Sequence, residues 1–130
     1  MKRLLFLGCL PLVFFNFSAC AQEKIAGDLS AEEAQQYIQE QDPVILDVRT
    51  DREYNQGHLP DARLLNFYKD DFKKGLEELP KEESYLVYCH SGARSAKAVK
   101  MMEELGFKEV SELSGGVASW NKEGQKLEKE

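Results

Sequence analysis

From Ser30 onward, apolar and polar residues are grouped in blocks of element length. Ser30-Ala31-Glu32-Glu33 has the form of a capping box and opens a helix whose apolar positions include Ala34, Tyr37 and Ile38. Asp42-Pro43 stops it. Val44-Ile45-Leu46-Asp47-Val48 is an apolar run of strand length, the pattern of a strand covered on both faces. Residues 50–56 read as a short helical turn ended at Gly57, residues 62–67 as a second strand, and residues 70–79 as a helix with its charges outward, ended by Pro80. Ser84-Tyr85-Leu86-Val87-Tyr88-Cys89, rich in aromatic and branched residues, is the next strand. A helix over residues 95–105 follows, with Ala98, Val99, Met102 and Leu105 on one stripe. Gly106 stands where a left-handed cap belongs, and Phe107 can fold back on the last turn. A strand over residues 110–113, the pair Gly115-Gly116 and a helix around Trp120 complete the order, and residues 122–130 read as a frayed polar tail. Strands alternating with helices in short units predict an α/β domain with a mainly parallel sheet and helices on both faces.

The residues ahead of this domain have a different character. Lys2 and Arg3 precede an apolar run over residues 4–17, which is shorter than the ~20 residues a membrane-spanning helix needs. A basic start, an apolar middle and small residues afterwards are the layout of a secretory signal peptide. Phe17-Ser18-Ala19-Cys20 resembles a bacterial lipobox, with Phe17 where leucine is usual, and implies cleavage before Cys20 and its lipidation. The competing site is Ala19-Cys20-Ala21, which would release a soluble chain beginning at Gln22. The expected organisation is a lipoprotein-type signal at 1–19, a connector at 20–28 and one domain at 29–130. Such a protein is expected in the periplasm or cell envelope, held to the membrane by the lipid on Cys20.

Composition narrows the function. With 130 residues there is room for one domain, and 42% hydrophobic content beside 31% charged residues describes a globular chain. A net charge of −6 opposes nucleic-acid binding, which needs a basic face. The three cysteines have no spacing that suits a tetrahedral metal site. Cys9 leaves with the signal, and Cys20 is acylated or removed. Cys89 is then the one free thiol, either a buried small hydrophobe or a reactive group.

Its surroundings favour reactivity. In Tyr88-Cys89-His90-Ser91-Gly92-Ala93-Arg94-Ser95 the cysteine ends a buried strand just before a helix, the edge of a parallel sheet where ligands bind. Ser91, Gly92 and Ala93 are small enough for the chain to curl and turn successive N–H groups inward as an anion receptor. The helix near Ser95 adds its positive end, and Arg94 adds a fixed charge. The inward N–H groups and the helix end both lower the thiol pKa below the ~8.5 of a free cysteine. Asp47 and Arg49, at the end of the central strand, can ion-pair to shape the site, by bracing or by substrate contact. His58 reads as structural, His90 as solvated and Trp120 as core. The charge clusters between Asp70 and Glu83 read as solvated faces.

Taken together, four segments resemble the single-domain rhodaneses, thiosulfate-type sulfurtransferases. They are Ile45-Leu46-Asp47-Val48-Arg49, Glu53-Tyr54 through Gly57-His58-Leu59-Pro60-Asp61-Ala62, the Cys89 loop, and Leu113-Ser114-Gly115-Gly116-Val117 with Trp120. The resemblance spans residues 29–122, and Asp61 stands where glycine is common. It implies a rhodanese-like fold and a Cys89 thiolate that takes the outer sulfur of thiosulfate or another small anionic donor, releases sulfite, and passes the sulfur to a thiol or cyanide. The backbone of His90, Ser91, Gly92, Ala93, Arg94 and Ser95 would hold the anion, with Arg94 assisting or bracing the loop. By the same resemblance no metal or organic cofactor is required, the acceptor can be a partner protein's thiol, and a monomer is expected. Four residues separate Cys89 from Arg94, whereas related arsenate-reductase and phosphatase loops resemble Cys-x5-Arg, so that chemistry is disfavoured. A non-catalytic or persulfide-carrying module of the same family is the other alternative.

Overall fold

The capping box forms as its spacing demands. In the computed structural model, which describes residues 27–129, Ser30 Oγ accepts from the Glu33 N–H, and the Glu33 carboxylate takes the Ser30 N–H at 2.8 Å. This opens α1 (Ala31–Gln41), which stops where Asp42 turns left-handed. A second capping box, Thr50 with Glu53, opens α2 (Asp51–Gln56). The expected signal at 1–19, Cys20 and most of the expected connector at 20–28 lie outside the described residues.

Five parallel strands run in the order β1 (Asp28–Leu29), β5 (Glu109–Leu113), β4 (Ser84–Tyr88), β2 (Val44–Asp47), β3 (Arg63–Leu64). Alternation along the strands divides the core in two. Ile45, Leu86, Tyr88 and Leu113 pack with α1, with Tyr54 of α2, and with Val117 and Trp120 of α5 (Gly116–Lys122). Leu46, Tyr85, Val87 and Val110 pack on the other face with α3 (Phe72–Glu77) and α4 (Ala93–Glu104). Cys89 keeps the parity of Tyr85 and Val87, so its side chain faces α4.

Three expectations need correction, and one strand, β1, was not foreseen. The strand expected over 62–67 is only Arg63–Leu64. Beyond it the Leu65 and Phe67 N–H groups still bond to the Asp47 and Val48 carbonyls, but the chain turns away at Asn66–Lys69. The helix expected over 70–79 shrinks to six residues; Asp71 provides no side-chain cap, and Gly75 sits against Leu65. β1 has too few residues to show a period, although Leu29 is buried. The tail is not frayed. Trp120 Nε1 donates to the Lys126 carbonyl, Gln125 pairs with Gln35, Leu127 packs on the core, and Glu128 exchanges backbone hydrogen bonds with His58 at 2.8 and 2.9 Å. Alternating charges hide this strap from a compositional reading.

Removal of residues 125–130 is expected to lower the unfolding free energy by about 2–4 kcal/mol, from lost backbone bonds and the uncovering of Trp120 and Gly57. Urea unfolding reads this directly, and an unchanged midpoint would return the segment to a free tail.

Candidate active site

Tyr88 and Cys89 leave the sheet in opposite directions. The Tyr88 hydroxyl donates to Asp47 Oδ2 at 2.6 Å and accepts from the Leu59 N–H at 3.0 Å. The buried Asp47 carboxylate also takes the Arg49 guanidinium at 2.7 Å, and Arg49 donates to the Gly57 carbonyl at 2.7 Å and lies over the Tyr88 ring. An ion pair this deep persists only when its hydrogen bonds are met, and here they are. Of the two roles open to Asp47 and Arg49, the geometry is that of bracing. Their bonds tie the end of β2 to Tyr88 and the 57–59 turn, on the face away from the sulfur. His58 belongs to the same brace. It is buried, stacks on Tyr54 at 3.9 Å between ring centroids, and places Nδ1 2.9 Å from the Leu59 carbonyl. Asp61 adopts the left-handed conformation at φ 60° that glycine would favour in that turn.

On the other face the chain curls over the Cys89 sulfur. Gly92, at φ 110°, makes the reversal and donates its N–H to Sγ at 3.1 Å. The α4 helix starts at Ala93, two residues earlier than its apolar stripe suggests, so the loop and the first helical turn are one structure. Gly92 occupies the N-cap position and has no side chain to offer. The sulfur therefore stands where a capping oxygen would, facing N–H groups that a helix start leaves unpaired. Burial works against a charged sulfur, but the Ser95 hydroxyl and the N–H groups of Ser95, Gly92 and Ser91 outweigh it, and the thiol pKa is lowered. Cys89 is 1% exposed, at the floor of the loop, whereas His90, Ser91 and Ala93 are exposed around it.

A third element holds this curl down. Gly116 meets the loop so closely that an added Cβ would run into the Cys89 carbonyl oxygen and lie 2.7 Å from the His90 carbonyl carbon. The first free N–H groups of α5, from Val117 and Ala118, donate to the Cys89 and His90 carbonyls at 3.0 and 3.1 Å. Those two carbonyls thus turn outward and leave the loop interior to donors.

Arg94 does not project into that interior. Its two terminal nitrogens grip the two oxygens of Glu53 at 2.8 Å each, and its guanidinium lies 5.6 Å from the centre of the Tyr68 ring. It clamps the start of α4 to α2. The pair holds the Glu53 carboxyl well below the usual carboxylate range. Sequence reasoning did not single out Glu53, which entered only within the Glu53-Tyr54 segment of the family resemblance. It also missed Glu112, whose Oε1 accepts from Ser95 Oγ at 2.7 Å from beneath the loop. A cavity of about 420 Å³ between α1 and α5, lined by Gln35, Ile38, Ile45, Pro60, Trp120 and Lys126 among others, includes none of the loop residues.

Comparisons with known proteins agree with this arrangement. The family model described as the rhodanese-like domain matches residues 30–123. A sulfurtransferase of Allochromatium vinosum is 33% identical over 91 residues, covering 70% of this chain and 83% of the relative. The thiosulfate sulfurtransferase GlpE of Coxiella burnetii is 36% identical over 92 residues, 71% and 84% of the two chains. Among solved structures, a rhodanese-like domain protein from Staphylococcus aureus superposes with a TM-score of 0.67 at 34% identity, over 82% of this chain and 99% of that one. A rhodanese-related protein from Thermoplasma volcanium gives a TM-score of 0.71 at 26% identity, over 79% and 98%.

The Glu53–Arg94 clamp has a pH signature. Because the folded-state pKa of Glu53 is depressed, its contribution to stability is complete above the unfolded value of ~4.3 and disappears as pH falls through the folded value. Glu53→Gln is expected to cost about 1 kcal/mol near neutrality, a modest figure because both side chains are partly exposed. The difference from the unaltered protein should vanish in strong acid, and a cost independent of pH would show that the clamp acts by shape alone.

Proposed function

This chain belongs to the rhodanese-like domain family, and from that premise we propose that it is a sulfurtransferase working through a Cys89 persulfide. The observation that carries the reading is the Gly92 N–H directed at the sulfur from a loop whose helix starts at that point. Such a receptor favours a thiolate and, equally, a persulfide anion or an incoming anionic donor. The Cys89 thiolate attacks the outer sulfur of thiosulfate or a similar sulfane donor. The new S–S bond forms as the donor's S–S bond breaks, and sulfite leaves with the electron pair. A thiol or cyanide then removes the outer sulfur and regenerates Cys89, a covalent two-step cycle.

Backbone N–H groups between Ser91 and Ser95 do the anion binding in this scheme, and Arg94, occupied by Glu53, fixes the loop that presents them. The four-residue spacing from Cys89 to Arg94 favours a single sulfur over a tetrahedral oxyanion. Retention of the thiol and its donors favours catalysis over a role in binding alone. For location, the basic, apolar and small residues ahead of residue 21 support an exported protein anchored by acylated Cys20.

Incubation of the reduced protein with thiosulfate is expected to add one sulfur, about 32 Da, in the intact mass, and Cys89→Ser should abolish the gain. No gain on a confirmed free thiol would remove thiosulfate as the donor, and turnover surviving Cys89→Ser would remove this loop as the site. For the anchor, the membrane-extracted protein should carry an acylated N-terminal Cys20. An unmodified chain starting at Gln22 would exclude it.

A further inference from the structure

The Ser95 hydroxyl is over-subscribed. It has one hydrogen to give and two lone pairs. Around it stand Glu112 Oε1 at 2.7 Å, the Gly92 carbonyl oxygen at 3.1 Å and Cys89 Sγ at 3.3 Å. If Cys89 were a thiolate while Glu112 was ionised, all three neighbours would be acceptors competing for one hydrogen. They would do so in a site where Ser95 is fully buried, Cys89 is 1% and Glu112 8% exposed. Two buried anions facing one hydroxyl are costly, and the low dielectric offers no screening. One additional proton resolves the conflict in either of two ways. With Glu112 ionised, Ser95 donates to it and accepts from a neutral Cys89 thiol. With Glu112 protonated, the carboxyl donates to Ser95, and the hydroxyl turns to the sulfur.

We propose that Glu112 is a positioning residue that shares one proton with Cys89 through the Ser95 hydroxyl, so that the pair carries a single negative charge. In the exchange the Cys89 S–H bond breaks, Ser95 Oγ takes that hydrogen, and the hydrogen it held passes to Glu112 Oε1. No proton enters or leaves the site. The thiolate so formed becomes an anionic persulfide on attack at the sulfane sulfur, and Glu112 keeps the proton throughout. When the outer sulfur has gone to the acceptor, Cys89 is again a thiolate and recovers its hydrogen by the same path. Glu112 thus lets the loop accept charge on sulfur without a second anion beneath it.

The groups facing this pair are consistent with the exchange. Burial foremost raises the Glu112 pKa against the pull of Ser95, and Asp28 of β1, in register with Glu112, adds to the rise by its charge and a side-chain hydrogen bond. The Cys89 pKa moves the opposite way, so the two approach one another. Arg94 of α4 is the nearby cation, and Glu53 neutralises it. From α5 the loop receives N–H groups, and from β4 the residue in register with Glu112 is the apolar Val87. The place of this exchange in turnover rests on the sulfurtransferase reading, but its test addresses the thiol alone.

The test is the rate of alkylation of Cys89 by iodoacetamide as a function of pH, followed by mass at the Cys89 peptide. Glutamine at position 112 can still accept from Ser95 but cannot take up a proton, which separates a proton role from a structural one. The unaltered protein is expected to show two steps, since interacting groups titrate as a pair. Glu112→Gln is expected to give one step with its midpoint about one pH unit lower, hence about tenfold faster alkylation on the acid side, because no carboxylate forms beside the sulfur. In a Ser95→Ala background, the same change should move the midpoint by a clearly smaller amount. If Ser95→Ala does not fold, Ser95→Thr, which keeps the hydroxyl, should preserve both steps. A single step in the unaltered protein, a midpoint unmoved or raised by Glu112→Gln, an equal shift without the hydroxyl, or loss of a step in Ser95→Thr would each overturn the shared proton. Alkylation needs no sulfur donor, so a two-step profile beside turnover that survives Cys89→Ser would sink the proposed function and leave the shared proton standing.

Discussion

Both layers of the molecule are fastened through two consecutive residues at the end of β4. The pleat sends Tyr88 to one face and Cys89 to the other. Tyr88 meets a buried carboxylate that must be fully hydrogen-bonded to exist there, and in meeting it the tyrosine locks the end of β2 and the 57–59 turn into one unit. Cys89 can then sit at a fixed height above the sheet while the following residues wrap over it. Neither half is optional. A loop that directs several N–H groups at one atom has to be built on a strand end that does not move, because these donors lose strength steeply with misalignment.

Much of this was legible in the sequence, and the legible parts share a cause. The start of α1 with its capping box, the buried β2 and β4, and the reactive placement of Cys89 all follow from signals confined to a few neighbouring residues. What was missed depends on residues far apart in the chain. Glu53 reads as one polar residue of a short helical turn until Arg94, 41 positions later, arrives to grip its carboxylate. Glu112 stands in a strand whose five residues are all buried, and only the tertiary structure shows Ser95 above it. The C-terminal strap looks like a solvated tail because it is held by backbone groups, one amide pair and a single leucine. Gly115-Gly116 was noticed as a pair, but the need for it lies in the loop that Gly116 touches.

The electrostatics of the site are mostly those of the peptide backbone. The chain is acidic overall, and the two arginines nearest the end of β4, Arg49 and Arg94, are each committed to a carboxylate. What remains to attract negative charge is a set of oriented N–H dipoles at the start of α4, fixed in place before any ligand arrives. A preformed array of this kind needs little reorganisation as charge develops on sulfur. Its donors are also short-ranged and directional, which suits one atom held at the floor of a loop better than a bulky anion at its rim.

The position of β1 has a consequence for how the chain folds. This two-residue strand comes first in the sequence but hydrogen-bonds only to β5, over 80 residues later, and the other strands lie beyond β5 in the sheet. The contact therefore closes nearly the whole domain into one ring, and the entropy of that closure must be met by a handful of bonds. Topologies dominated by such distant pairings fold slowly compared with those built from neighbours. Assembly from β2 and β4 outward would leave β1 as the last strand to dock, so the edge of the sheet at β5 closes only when almost all of the rest is in place.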